Sequence, residues 1–219
     1  MTRKIIPVDS LEESTLSAVF QIVIKLHTNV RKWMWPMNRV VSSSLLVILF
    51  ALILPSFASA QSPRFRLSSS AFAPAGPIPP QYTCRGADGE SNVSPPLQWR
   101  GAPAATKTFA LIIEDPDAPS GSFVHWVIFN IPASTDTLSA GQPLSPRLVN
   151  GALQGVNGRN NVGYTGPCPP AGPVHHYHFD LMALDSALPL ASGATAIDVK
   201  TASVGRVIGS AELIGTFAR

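Results

Sequence analysis

Three short clusters carry the side chains with chemistry to offer. The first is Asp115-Pro116-Asp117-Ala118-Pro119, with two carboxylates either side of a proline. Two acids this close suggest a cation site or an acid/base pair, yet the proline lets their side chains diverge. Asp also caps its own backbone and Pro fixes φ, so turn chemistry explains the same residues. The second cluster is His125-Trp126 within an apolar run. A lone His there is a hydrogen-bonded core residue or, alternatively, a ligand or general base. The third is Gly163-Tyr164-Thr165-Gly166-Pro167-Cys168-Pro169-Pro170, leading into His175-His176-Tyr177-His178. Its three histidines suggest zinc, but strand alternation puts His175 and Tyr177 on one face and His176 and His178 on the other. No acidic or Cys ligand lies at zinc spacing, so the expectation is no metal. A nucleophile elbow, a P-loop, H-E-x-x-H and C-x-x-C are all absent, and nothing in the sequence calls for a cofactor.

These clusters need rigid strands to position them. Thr108 to Glu114, Phe123 to Ile131 and His175 to Leu184 are short apolar runs bounded by turn residues, as strands are. Asp115 and His125 flank the connection between the first two, which puts them on adjacent strands near one sheet end. Pro and Gly recur throughout and argue against long helices. One helix is expected over Ala196 to Gly209, with Ile197, Val204 and Ile208 as its apolar positions, followed by a strand from Ala211 to Phe217. The expected architecture is mostly β: two packed sheets with one or two peripheral helices.

The fold does not occupy all 219 residues. Arg39, an apolar stretch from Val40 to Leu54 and the small-residue run Ser56-Phe57-Ala58-Ser59-Ala60 make a secretory signal over residues 37–60, cleaved after Ala60. The strongly apolar part is only about 10 residues, short for a membrane span. No Cys follows it where a lipoprotein needs one. Residues 1–36 read as an upstream extension from a misassigned start or as a cytoplasmic tail; membrane contact would arise only through an uncleaved signal segment. Residues 1–60 hold six Lys/Arg against three Asp/Glu, and residues 61–219 hold ten of each. The basic character therefore belongs to the targeting segment, and no basic stripe remains for nucleic acid. Residues 61–219 suffice for one domain, placed in the periplasm or secreted. In that compartment Cys84 and Cys168 form one disulfide or remain two thiols, and their spacing does not decide between the two.

Together these clusters resemble the phosphatidylethanolamine-binding, Raf kinase inhibitor-like family, in its bacterial branch. The matching residues are Tyr82-Thr83-Cys84, Ser94-Pro95-Pro96-Leu97 with Trp99, Asp115 to Pro119, His125-Trp126, Gly166 to Pro170, His175-x-Tyr177 and the closing Ala211 to Phe217. The resemblance implies a large antiparallel sheet packed on a smaller one, with a cavity for small anions or phosphorylated groups. It further implies that Asp115, His125, His175 and Tyr177 line this cavity, with Ala118, Cys168 and Pro170 at its rim and a Cys84–Cys168 disulfide beside it. His176 stands where relatives often carry Arg, and Arg206 where they often carry His. The expected function is an exported, non-catalytic protein that binds a small anionic or phosphorylated ligand. Alternatives are an inhibitor or regulator of another protein and, less favoured, a hydrolase using Asp115 and His125.

Overall fold

The computed structural model describes residues 64–85 and 93–219; the segments read as extension and signal, 1–36 and 37–60, lie outside them. In chain order the elements are β1 (Arg66–Ser68), β2 (Gly76–Pro77), a 3-10 turn (Pro80–Tyr82), β3 (Leu97–Arg100), β4 (Thr108–Asp115), β5 (Phe123–Pro132), β6 (Thr137–Leu138), β7 (Leu153–Gln154), β8 (His175–Leu184), α1 (Ala196–Ser203) and β9 (Val207–Phe217). They build a six-stranded sheet in the order β2-β9-β8-β4-β5-β7 and a three-stranded sheet in the order β1-β3-β6. Every strand pair is antiparallel except β2 with β9. This is the two-sheet architecture expected from the sequence.

The strands read as apolar runs form the middle of the large sheet because both of its faces are covered there. On one face Leu111, Ile113, Trp126, Ile128, Phe179 and Leu181 pack with Leu67, Leu97 and Trp99 of the small sheet. On the other, Ala110, Ile112, Val127 and Phe129 pack under α1 through Ala196 and Val199. Two-sided burial is why β4 and β5 show nearly continuous apolar sequence instead of alternation. Each fully buried aliphatic or aromatic side chain there contributes about 1.5–3 kcal/mol.

The helix is shorter than the sequence reading. α1 stops at Ser203, Gly205 turns the chain at φ 74°, and the last strand begins at Val207. The residues that bury are Ala196, Val199 and Ser203, whereas Ile197 and Val204 are exposed. Thr195 starts the helix with a capping box: its hydroxyl accepts from the Asp198 N–H, and the Asp198 carboxylate accepts from Thr195. Among the described residues, no helix is long and apolar enough to cross a membrane.

Candidate functional site

Asp115 ends β4, Phe123 begins β5 and His175 begins β8, and the antiparallel registers bring these strand ends to one end of the large sheet. They open onto a cavity of about 160 Å³ lined by Asp115, Ala118, Phe123, His125, Arg159, Gly166, Cys168, Pro170 and His175, with Pro119, Ser120 and Pro169 at its margin.

The two acids of the first cluster do different work. Asp115 is buried; its Oδ2 accepts from His175 Nδ1 at 2.8 Å and its Oδ1 from the Asp117 N–H at 2.9 Å. The second of these is the Asx turn that the sequence suggested. Asp117 faces outward, where its Oδ2 accepts from both the backbone N–H and the Nδ1 of His176, each at 2.8 Å. Those bonds, the side-chain one foremost, hold the Asp117 carboxyl below its usual range. A turn and a site are thus made from the same five residues.

His125 reaches the cavity through a break in the strand pattern. Ile113 pairs with Trp126 and Glu114 with Val124, so the register skips His125. This bulge lets adjacent residues both face inward: the Trp126 indole joins the inter-sheet core while the His125 ring meets Tyr177 edge-on at 5.1 Å. His125 Nδ1 lies 2.7 Å from the Thr165 carbonyl, which can only accept; the proton therefore sits on Nδ1 and Nε2 is an acceptor. Burial lowers the ring's pKa to about 4 despite the Thr165 bond, so it is neutral at pH 7.

Tyr177 was expected in the cavity wall, and it is not among the lining residues. It is fully buried, a layer behind His125, and belongs to the inter-sheet core. Its hydroxyl lies beside the Asp115 carboxylate without a hydrogen bond of good geometry, and burial followed by that negative charge pushes its pKa up.

The rim is fastened to the preceding turn of the chain. Cys84 and Cys168 are joined in a disulfide, and the Cys84 N–H donates to the Pro167 carbonyl at 3.0 Å. Beside it the Tyr164 hydroxyl donates to the Tyr82 carbonyl at 2.7 Å. Gly166 is needed here, because a Cβ would stand 3.0 Å from the Thr83 backbone. Cys168 and Pro170 of this fastened segment line the cavity, as does Ala118.

Sequence reasoning missed Arg159, which lines the cavity and comes close enough to His125 to disfavour its protonation. It sits on a loop organised by Asn157, whose Oδ1 accepts from the N–H groups of Arg159 and Asn161 and whose Nδ2 donates to the Gly163 carbonyl. Gly158 lets this loop pack on Phe123, whose ring would be 2.6 Å from an added Cβ. The only signal was one Arg amid Asn and Gly, which has no periodicity to reveal its direction. Arg159 thus brings a positive charge to the cavity lining, whereas His176 is bonded outside it to Asp117.

Two further basic side chains are not part of the cavity lining. His178 lies on the opposite face of β8 from Tyr177, bonded to Glu212 at 2.7 Å, and Arg206 binds the Ala202 carbonyl and the Ser186 hydroxyl. Among the described residues, no group of His, Cys, Asp and Glu is arranged to hold a metal ion. A larger, open groove of about 650 Å³ runs along Arg64–Leu67, β8 and β9 but contains none of Asp115, His125 and His175. The smaller cavity is the better site because buried polar groups converge on it.

Comparison with known proteins agrees with this fold. Residues 68–218 match the model of the family described as phosphatidylethanolamine-binding protein. A UPF0098 protein of Methanothermobacter thermautotrophicus is 50% identical over 153 residues, covering 70% of this chain and 98% of that protein. The candidate lipoprotein LppC of Mycobacterium tuberculosis is 40% identical over 152 residues, covering 69% of this chain and 71% of that protein. Among solved structures, a phosphatidylethanolamine-binding protein homolog of Chlamydia trachomatis superposes with TM-score 0.64 at 35% identity, covering 71% of this chain and 98% of that one. Two sheets, a cavity at the ends of β4, β5 and β8, and this run of relatives lead to one assignment: the chain belongs to the phosphatidylethanolamine-binding protein family.

Proposed function

We propose that the protein is exported and binds a small anion or phosphoryl group at this cavity without chemically changing it. The observation that carries the reading is the buried Asp115–His175 pair opening on the same cavity as Arg159, which no carboxylate pairs among the described residues. Asp115 orients the His175 ring, and the Arg159 guanidinium on the same cavity offers donors to phosphate oxygens. His125, neutral with Nε2 as acceptor, suits the one remaining proton of a hydrogen phosphate or monoester. A binding role fits better than catalysis. Cys168 is held in the disulfide and has no thiolate to offer, and Ser120 is exposed with no hydrogen bond to either histidine. Export is supported by the signal-like segment and by a relative named as a candidate lipoprotein.

Calorimetry with inorganic phosphate tests the reading on protein purified in the form its host produces. Wild type should release heat on binding, and His175→Ala should bind at least tenfold more weakly. Equal titrations for the two proteins would overturn the assigned site.

A further inference from the structure

A second cavity adjoins the first. It measures about 300 Å³ and is lined by Leu144, Asn157, Arg159, Asn161, Val162, Tyr164 and Thr165. Arg159 lines both cavities, and the Thr165 carbonyl on the boundary is the acceptor for His125 Nδ1. We propose that the two cavities form one bipartite site, joined at Arg159, for a phosphomonoester whose far end carries a carboxylate or comparable anionic acceptor.

The charges on the page select that ligand class. The second cavity contains amide, hydroxyl and aliphatic side chains and one guanidinium, but no acid. In the first cavity the one acid is Asp115, and both of its oxygens are already engaged, by His175 and by the Asp117 N–H. Asp117, the next carboxylate along the chain, is turned outward to His176. An ammonium at the far end of a phosphomonoester would therefore meet Arg159 and no counter-charge. A carboxylate there meets a fork of donors that it can accept in bidentate fashion. The loop is built to hold Arg159 in place: Asn157 ties its two sides, and Gly158 donates to the Val124 carbonyl at 2.8 Å while resting on the Phe123 ring. What is preset is therefore the base of the arginine, with its head left available to the ligand.

This inference rests on the anion-binding reading above, and matched probes separate the two. Inorganic phosphate, phosphoethanolamine and phosphoglycolate share the phosphoryl group; the last two have similar length and differ in carrying an ammonium or a carboxylate. The purified protein should bind phosphoglycolate about tenfold more tightly than phosphoethanolamine, as expected for one partly screened charge contact. Arg159→Gln should remove that preference while His175→Ala weakens all three probes together. Because Arg159 also borders the first cavity, Asn161→Asp serves as a second variant: a negative charge placed in the second cavity should lower phosphoglycolate affinity and spare inorganic phosphate. If phosphate binds but the two esters bind equally, or the ammonium ester binds better, the bipartite site is wrong and the anion site stands. If inorganic phosphate itself does not bind, both fall.

Discussion

Asp115 uses its two oxygens separately: Oδ1 closes a turn while Oδ2 fixes the ring of His175. Its neighbour His125 carries a stability consequence of its own. Folded His125 stays neutral down to about pH 4, whereas an unfolded His takes a proton near 6.5. Between those values the unfolded chain binds the extra proton, so stability falls as the pH falls through the window and is unaffected above it. The loss is up to roughly 3 kcal/mol at about 1.4 kcal/mol per unit. Denaturant titrations at pH 7.5 and 4.5 should show it in wild type and not in His125→Gln; parallel losses in both would refute the assignment to this ring. At this scale much of the site was legible. Asp115, His125 and His175 stood out because acids and imidazoles are conspicuous in or beside apolar strands. The resemblance puts Tyr177 in the wall by its place in the motif, and a motif position does not fix how deep a side chain lies. Arg159 escaped because a loop direction is set by Asn157 and by packing on Phe123, neither visible as a repeating pattern.

Strands deliver these residues to their places, and one irregularity matters more than the regular pairs. A regular period of two would send His125 and Trp126 to opposite faces; the bulge puts both inward. Nothing in the one-dimensional pattern marks that bulge. The same blindness explains α1. Ile197, Val204 and Ile208 read as a helical stripe, yet the sheet receives Ala196 and Val199, small enough for close approach over Val127 and Phe129. The start of α1 was more legible than its end, because Asp198 stands near the start, where the capping box uses it. Thr195→Ala should lower stability by about 1 kcal/mol, read by chemical denaturation, without altering ligand affinity. A change in phosphate binding in that variant would mean that α1 reaches the site by a route the contacts do not predict.

For the whole molecule, two-sided coverage of the large sheet makes a platform, and the cavity residues occupy one end of it near the ends of three strands. The two-sheet plan was legible because its central strands are apolar almost without interruption. The short strands β1, β2, β6 and β7 were not, since two or three residues carry no period. The Cys84–Cys168 bond spans 84 residues and fastens the site's rim to the turn after Pro80–Tyr82. Removing it as Cys84→Ser with Cys168→Ser should cost on the order of 3–5 kcal/mol for a loop of this length. Thermal or denaturant unfolding would measure that loss. Unchanged stability would mean that the hydrogen bonds of Tyr164 and Cys84 fasten the rim unaided. The position of the bond also makes the cavity margin responsive to its medium: reducing conditions open the covalent link between Cys168 and the turn after Pro80–Tyr82, and oxidising conditions close it.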